Sequence, residues 1–218
     1  MPATPYAREQ MVTQQLRTWD VLDETILDVV RGLPRELFVP DDWRDVACGD
    51  LAIPLPHGQH LLPPKIVGRI LQSVAVQPGE RALEIGTGSG YLTACLSRLG
   101  AQVTSLEIYA DLCERARRNL TAAGISGPQL LHADALAAAS STPQYDVIAL
   151  TASLPVYDAR FEAQLAPGGR LFVVVGEGPA MEARLISRDA AGQRQQRDLF
   201  ETQLDPLVNA LRLEAFRF

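Results

Sequence analysis

Between residues 84 and 90 the chain reads Glu-Ile-Gly-Thr-Gly-Ser-Gly, an acid followed by three alternating glycines. Arg81 to Ile85 is short and apolar, as a buried parallel strand requires, and Tyr91 to Leu99 carries its apolar residues at helical spacing. The glycines therefore occupy a strand-to-helix turn. Backbone without Cβ atoms can lie close to a ligand there, and the amides that open the helix favour electron-rich groups. A nucleoside cofactor is expected at this turn, with Glu84, Gly86, Thr87, Gly88, Ser89 and Gly90 forming it.

The rest of the chain agrees with a turn of this kind. After Gln77-Pro78-Gly79, strands are expected near residues 81–86, 102–107, 129–132, 145–150 and 169–175, with helical stretches between them. That alternation predicts an α/β fold with a parallel sheet and helices on both faces. Ala183 to Arg188 and Arg197 to Gln203 flank the polar stretch Asp189 to Gln196, as in an antiparallel hairpin. Ahead of the glycine turn, Met11, Val12, Leu16 and Trp19 suggest an amphipathic helix over Tyr6 to Thr18. Asp23 begins a second helix, with Ile26, Leu27 and Val30 on one face. Pro34, Pro40, Pro54, Pro56, Pro63 and Pro64 punctuate an irregular segment, which ends where Pro64 starts a helix to about Val76. Loops of this length in compact domains usually carry function.

With 218 residues, 47% of them hydrophobic, the chain can bury one sizeable core. A single domain is expected, with N-terminal helices and a loop over 1–76, a cofactor core over 77–176 and the hairpin over 177–218. The formal net charge of -6 argues against non-specific attraction to nucleic acid. Arg115, Arg117 and Arg118 are the densest basic cluster, and helical spacing spreads them over a solvated face. No apolar run approaches membrane-spanning length, and Met1 to Trp19 carries charges where a signal peptide needs its hydrophobic centre, so a cytoplasmic protein is expected. Cys48, Cys95 and Cys113 lack the paired spacing of a metal site or a disulfide framework. Nothing in the composition decides the oligomeric state.

Spacing distinguishes between nucleoside cofactors. In Gly86-Thr87-Gly88-Ser89-Gly90-Tyr91 the third glycine comes one residue too early for the dinucleotide pattern G-x-G-x-x-G, and no G-x-x-x-x-G-K-[ST] is present. The arrangement E-x-G-x-G-x-G instead resembles motif I of class I S-adenosylmethionine-dependent methyltransferases. Glu107 closes the second strand about 20 residues after Gly86, where a carboxylate can accept from both ribose hydroxyls. Asp134, followed by Ala135, stands after the third strand and resembles the methyltransferase acid that accepts from the adenine amino group. Thr151-Ala152-Ser153-Leu154-Pro155 ends the fourth strand and is not the N-P-P-Y or D-P-P-Y of many amine methyltransferases.

The segment from Leu51 to Pro64 reads L-A-I-P-L-P-H-G-Q-H-L-L-P-P and resembles the substrate loop of protein-L-isoaspartate O-methyltransferases, I-A-L-P-I-G-x-G-Q-T-I-S-x-P. Pro34 to Val39 resembles that family's P-R-E-x-F-V, Thr151-Ala152 its T-A-A, Leu165 to Gly169 its L-x-x-G-G, and Asp205 to Val208 part of a terminal F-V-P-L-V. The likeness runs from about Val30 to Val208. It implies a three-layer Rossmann-like methyltransferase fold with a mostly parallel seven-stranded sheet. It further implies S-adenosyl-L-methionine as cofactor, and an isoaspartyl protein or peptide as methyl acceptor in a repair reaction. It marks Pro54, His57, Gly58, Gln59 and His60 as the substrate loop. His60 and Leu62 stand where the family has Thr and the active-site Ser, and leucine has no hydroxyl to offer. The sequence therefore also leaves open a different small-molecule or carboxylate acceptor, or a scaffold that binds cofactor with little turnover.

Overall fold

A computed structural model describes residues 5–139, 142, 144–189 and 191–212 of the chain. The N-terminal helical stretch consists of α1 (Pro5–Met11), a π-helical turn (Val12–Leu16) and a 3-10 turn (Arg17–Trp19), ending where Asp20 turns left-handed. Helix α2 (Glu24–Gly32) starts at Asp23, whose carboxylate accepts the N–H groups of Thr25 and Ile26 and so satisfies two amides that lack helical partners. Its buried face is Ile26, Leu27 and Val30.

The proline-rich segment is more ordered than the sequence suggests. Two-residue strands β1 (Ile53–Pro54) and β2 (His60–Leu61) pair antiparallel, closed by the Leu55 N–H on the Gln59 carbonyl at 2.7 Å. The tip turns through His57 and Gly58, both with positive φ. Pattern reading missed this hairpin because strands of two residues are too short to show alternation. Helix α3 (Pro64–Val74) follows, with a proline at its first position, where the missing N–H is no loss.

The main sheet then begins. Strands β3 (Arg81–Ile85), β4 (Gln102–Glu107), β5 (Gln129–His132), β6 (Tyr145–Leu154) and β7 (Leu165–Glu177) pair in parallel; β8 (Ala180–Arg188) and β9 (Arg194–Glu201) complete it antiparallel. The order is β5-β4-β3-β6-β7-β8-β9. Only β8 runs against the others. Helices α4 (Tyr91–Arg98) and α5 (Ala110–Ala122) and the short α6 (Ala135–Ala138) and α7 (Ala159–Glu162) connect the parallel strands. The larger buried cluster packs the N-terminal helices, α3, α4 and α5 on one face. The smaller, around Ile85, Ile148, Phe161 and Leu171, fills the other.

The C-terminal hairpin differs from expectation in its bounds. Its connection is Asp189 to Gln193 rather than Asp189 to Gln196, because the Asp189 carboxylate accepts the N–H groups of Ala191 and Gln193 and tightens the turn. After β9 the chain returns to the sheet. Ser153 N–H donates to the Asp205 carbonyl, and Leu207 N–H to the Ser153 carbonyl, both at 2.8 Å. This docking brings a distant segment to the C-terminal end of β6, at the point where strand order reverses and ligands of open α/β sheets bind. No helix among the described residues is long and apolar enough to cross a membrane.

Candidate active site

At that reversal a cavity opens, lined on one side by Gly86, Gly88, Glu107, Tyr109, Asp134, Ala135 and Thr151. Leu55, Gln59 and His60 of the loop hairpin and Asp205 to Val208 of the returning chain line the other. The glycine turn is set from behind. Thr151 Oγ1 donates to the carbonyls of Gly86 at 2.7 Å and Ile85 at 3.0 Å, and a Cβ on Gly86 would stand 2.3 Å from that hydroxyl. Gly86 has φ +92°, so the position needs glycine for conformation as well as for space.

Glu84 is fully buried and is not part of the cavity wall. One carboxylate oxygen accepts from the hydroxyls of Thr93 on α4 and Ser105 on β4, the latter at 2.7 Å. Thr87 Oγ1 meets Ser105 Oγ at 2.6 Å, which ties the turn into the same network. Burial raises the Glu84 carboxyl to about 7, the two hydroxyl contacts opposing that rise. Its other oxygen has no partner among the described residues. Ser89 is likewise buried, with its carbonyl accepting from Asn119 at 2.9 Å, and Gly90 packs against Ala116. Of the motif, Ile85, Gly86 and Gly88 line the cavity; Glu84, Thr87, Ser89 and Gly90 shape the turn.

Glu107 holds its place through backbone amides: Oε2 accepts Gly88 N–H at 2.8 Å and Oε1 accepts Tyr109 N–H at 3.0 Å. A carboxylate has about four acceptor sites, so each oxygen keeps capacity for a further donor. Asp134 caps α6 through Leu136 N–H and accepts the Asn209 side-chain amide at 2.8 Å. Asn209 was not singled out from the sequence. A pair of acidic side chains flanked by Leu106, Ile108 and Leu112 suits a sugar and a flat apolar base, so the residues present fit a nucleoside cofactor.

Two histidines fasten the loop hairpin. His57 stacks on Tyr109, ring centroids 4.0 Å apart and planes 7° from parallel, and its Nε2 lies 2.8 Å from Asp111 Oδ1. That hydrogen bond holds the Asp111 carboxyl below the usual carboxylate range. His60 Nδ1 lies 3.0 and 3.2 Å from the two Asp205 oxygens. Pro54, His57, Gly58 and Leu62 are not in the cavity wall. Leu62 is buried in the larger core cluster, and its carbonyl accepts from Arg35 Nη2 at 2.6 Å. Arg35, fully buried, also donates Nε to the Ala47 carbonyl at 2.8 Å, and its guanidinium carbon sits 4.6 Å from the centre of the Tyr91 ring. Burial lowers its basicity. The P-R-E segment that gave the resemblance thus braces the loop against the first residue of α4. Asp205 was legible only as part of a resemblance to the family's terminal motif.

A glycine turn at the switch point, a strand-end acid and a second acid before a short helix, on this strand order, define an S-adenosylmethionine-dependent methyltransferase. The model of the protein-L-isoaspartate(D-aspartate) O-methyltransferase family matches residues 7–212. The chain belongs to that family. It is 34% identical to the protein-L-isoaspartate O-methyltransferase of Koribacter versatilis over 201 residues, 92% of this chain and 90% of the relative. To that of Methanoculleus marisnigri it is 37% identical over 183 residues, 84% and 83% of the two chains. Among solved structures, one from Plasmodium falciparum superposes with a TM-score of 0.79 at 19% identity, covering 92% of this chain and 97% of that one. It is described as a candidate protein-L-isoaspartate O-methyltransferase in complex with S-adenosyl-L-homocysteine. The cofactor of this chain is S-adenosyl-L-methionine.

Proposed function

We infer that the protein transfers the cofactor methyl group to the free carboxylate of isoaspartyl residues in proteins or peptides. The observation that carries this reading is that Gln59 and His60 of the loop hairpin share one cavity with Gly86, Glu107, Asp134 and Thr151. Glu107 would take the ribose hydroxyls, and Asp134 with Ala135 the adenine end. Gly86 and Gly88 would let the cofactor lie against bare backbone, with Thr151 fixing Gly86. The bound cofactor supplies a methyl group on a positively charged sulfur. An acceptor carboxylate with a pKa near 4 is already ionised at neutral pH, so the chain has to position and desolvate it rather than deprotonate it.

Holding two reactants in attack geometry contributes roughly 7–11 kcal/mol, and one hydrogen bond to a charged group roughly 1.5–3 kcal/mol. The family hydroxyl that leucine lacks at position 62 would be worth about one to two powers of ten in rate, a loss that slows transfer without abolishing it. His60 offsets part of that loss when it is protonated, since the imidazolium can donate from its second nitrogen to a carboxylate and attract it. Purified protein with an isoaspartyl peptide and labelled cofactor should form a base-labile methyl ester; none above the normal-aspartyl control refutes the reading.

A second reading is favoured by the burial of Leu62 away from the cavity: the acceptor is a different small molecule. A rate on isoaspartyl peptide equal to that of the relatives would count against it. A scaffold without turnover would bind S-adenosylmethionine in calorimetry yet methylate neither class.

A further inference from the structure

His60 and Asp205 form a carboxylate–imidazole pair at the cavity, and its geometry exceeds what carboxyl methylation needs. Both Asp205 oxygens face Nδ1, so that nitrogen carries the proton and the lone pair lies on Nε2. Nε2 has no hydrogen-bond partner among the described residues. An imidazole oriented in this way by a carboxylate is arranged to accept a proton. The surrounding charge points the same way. Glu107 from β4, Asp134 from the turn after β5 and Asp205 from the returning chain all line the cavity, Tyr109 adds a phenol, and no Lys or Arg lines it among the described residues. On the loop's outer side, His57 is paired with Asp111 of α5. A carboxylate entering this cavity meets three others and, among the lining side chains, has only His60 to offset them beside the cofactor's sulfonium, whereas a neutral acceptor meets no repulsion.

We propose that His60, held by Asp205, is a general base that lets this site methylate a neutral acceptor bearing an acidic hydroxyl, a phenol, in addition to carboxylates. The acceptor oxygen forms its bond to the methyl carbon while the carbon–sulfur bond breaks and its electron pair stays on sulfur. The hydroxyl proton passes to His60 Nε2, the positive charge moving from sulfur to imidazolium, and then leaves to solvent. His60 is the catalytic residue; Asp205 is a positioning residue that fixes the tautomer. The inference rests on cofactor use at this cavity and not on the isoaspartyl assignment.

One imidazole then serves two acceptors in opposite protonation states. Transfer to 4-methylphenol, whose hydroxyl stays un-ionised at neutral pH, should rise with pH, while transfer to an isoaspartyl peptide should fall or stay level. His60→Gln should lower the phenol rate about 100-fold or more and remove its pH dependence, with cofactor affinity by calorimetry changed less than about threefold. Asp205→Asn should shift the phenol profile, and nitrogen NMR of His60 should show an Nδ1–H tautomer in the native protein and a mixture in the variant. No methylation of 4-methylphenol, or a rate His60→Gln leaves intact, overturns the proposal whatever the peptide assay gives. A methylated phenol without peptide ester would refute the isoaspartyl reading alone. Loss of cofactor binding in the native protein would remove both.

Discussion

The wall of the cavity proposed to hold the cofactor is fixed by side chains that water does not reach, whereas the wall proposed to meet the acceptor is fastened by pairs that stand in solvent. Glu84, Thr87, Thr93 and Ser105 are each at most 4% exposed. The side chains of His57, Asp111, His60 and Asp205 lie between 30% and 58% exposed. A buried, mutually bonded network has one arrangement and is preorganised for its ligand; exposed ion pairs contribute little to stability and re-form easily. The difference explains how one family scaffold can keep its cofactor and alter its acceptor. Substitutions at the exposed wall leave the network behind the glycine turn untouched.

The largest effect should come from the point where the two walls meet. Arg35→Ala leaves the buried carbonyls of Ala47 and Leu62 without a donor and should cost about 4 kcal/mol of unfolding free energy in denaturant titration. A loss below about 1 kcal/mol would mean that the loop is not braced from beneath, and the contrast between the walls would then be sharper than drawn.

Glu84 gives the next effect, visible against pH. Its carboxyl stands near 7 in the folded protein against 4.5 for the free group, so folded chains keep a proton that unfolded chains have already released. Stability should therefore fall as pH rises from about 4.5 to about 7, by on the order of 3 kcal/mol, and stay level above. Glu84→Gln should flatten that slope and be the more stable form at pH 8. An unchanged slope would show that the buried network is not what titrates.

Gly86→Ala tests the cofactor wall directly. With φ +92° and Thr151 Oγ1 2.3 Å from the added Cβ, the turn must shift, and S-adenosylmethionine should bind about 100-fold more weakly in calorimetry. Equal binding would deny that close backbone approach matters here. The smallest effect belongs to His57→Ala at the outer end of the loop. It should leave the unfolding midpoint and cofactor affinity nearly unchanged while raising acceptor KM a few-fold and exposing the hairpin tip to protease. A large loss of stability would erase the distinction between the walls.

Much of the cofactor wall was legible because its elements are local. Glu84 to Gly90 carry strand, turn and helix start within one window, and Glu107 and Asp134 fall at strand ends that the apolar rhythm marks. Even so, the sequence did not separate Gly86 and Gly88, which face the cavity, from Glu84 and Thr87, which face Thr93 and Ser105. Residue type names a polar group, but only packing decides which way it points. On the loop side, resemblance marked Gln59 and His60, which line the cavity, and Asp205 only as part of a terminal motif; Asn209, which bonds Asp134, carried no signal.

By itself, then, the sequence determined the parallel sheet and the glycine turn, since periodicity and turn chemistry act over a few residues, and its resemblance to methyltransferase motif I named the cofactor. The pairing of His60 with Asp205 spans 145 positions of chain. It exists because the segment after β9 docks on Ser153 at the end of β6, and the bond from Arg35 to the Leu62 carbonyl joins residues 27 positions apart. Contacts of that separation depend on how the layers close around the core, and the tertiary structure alone decided them.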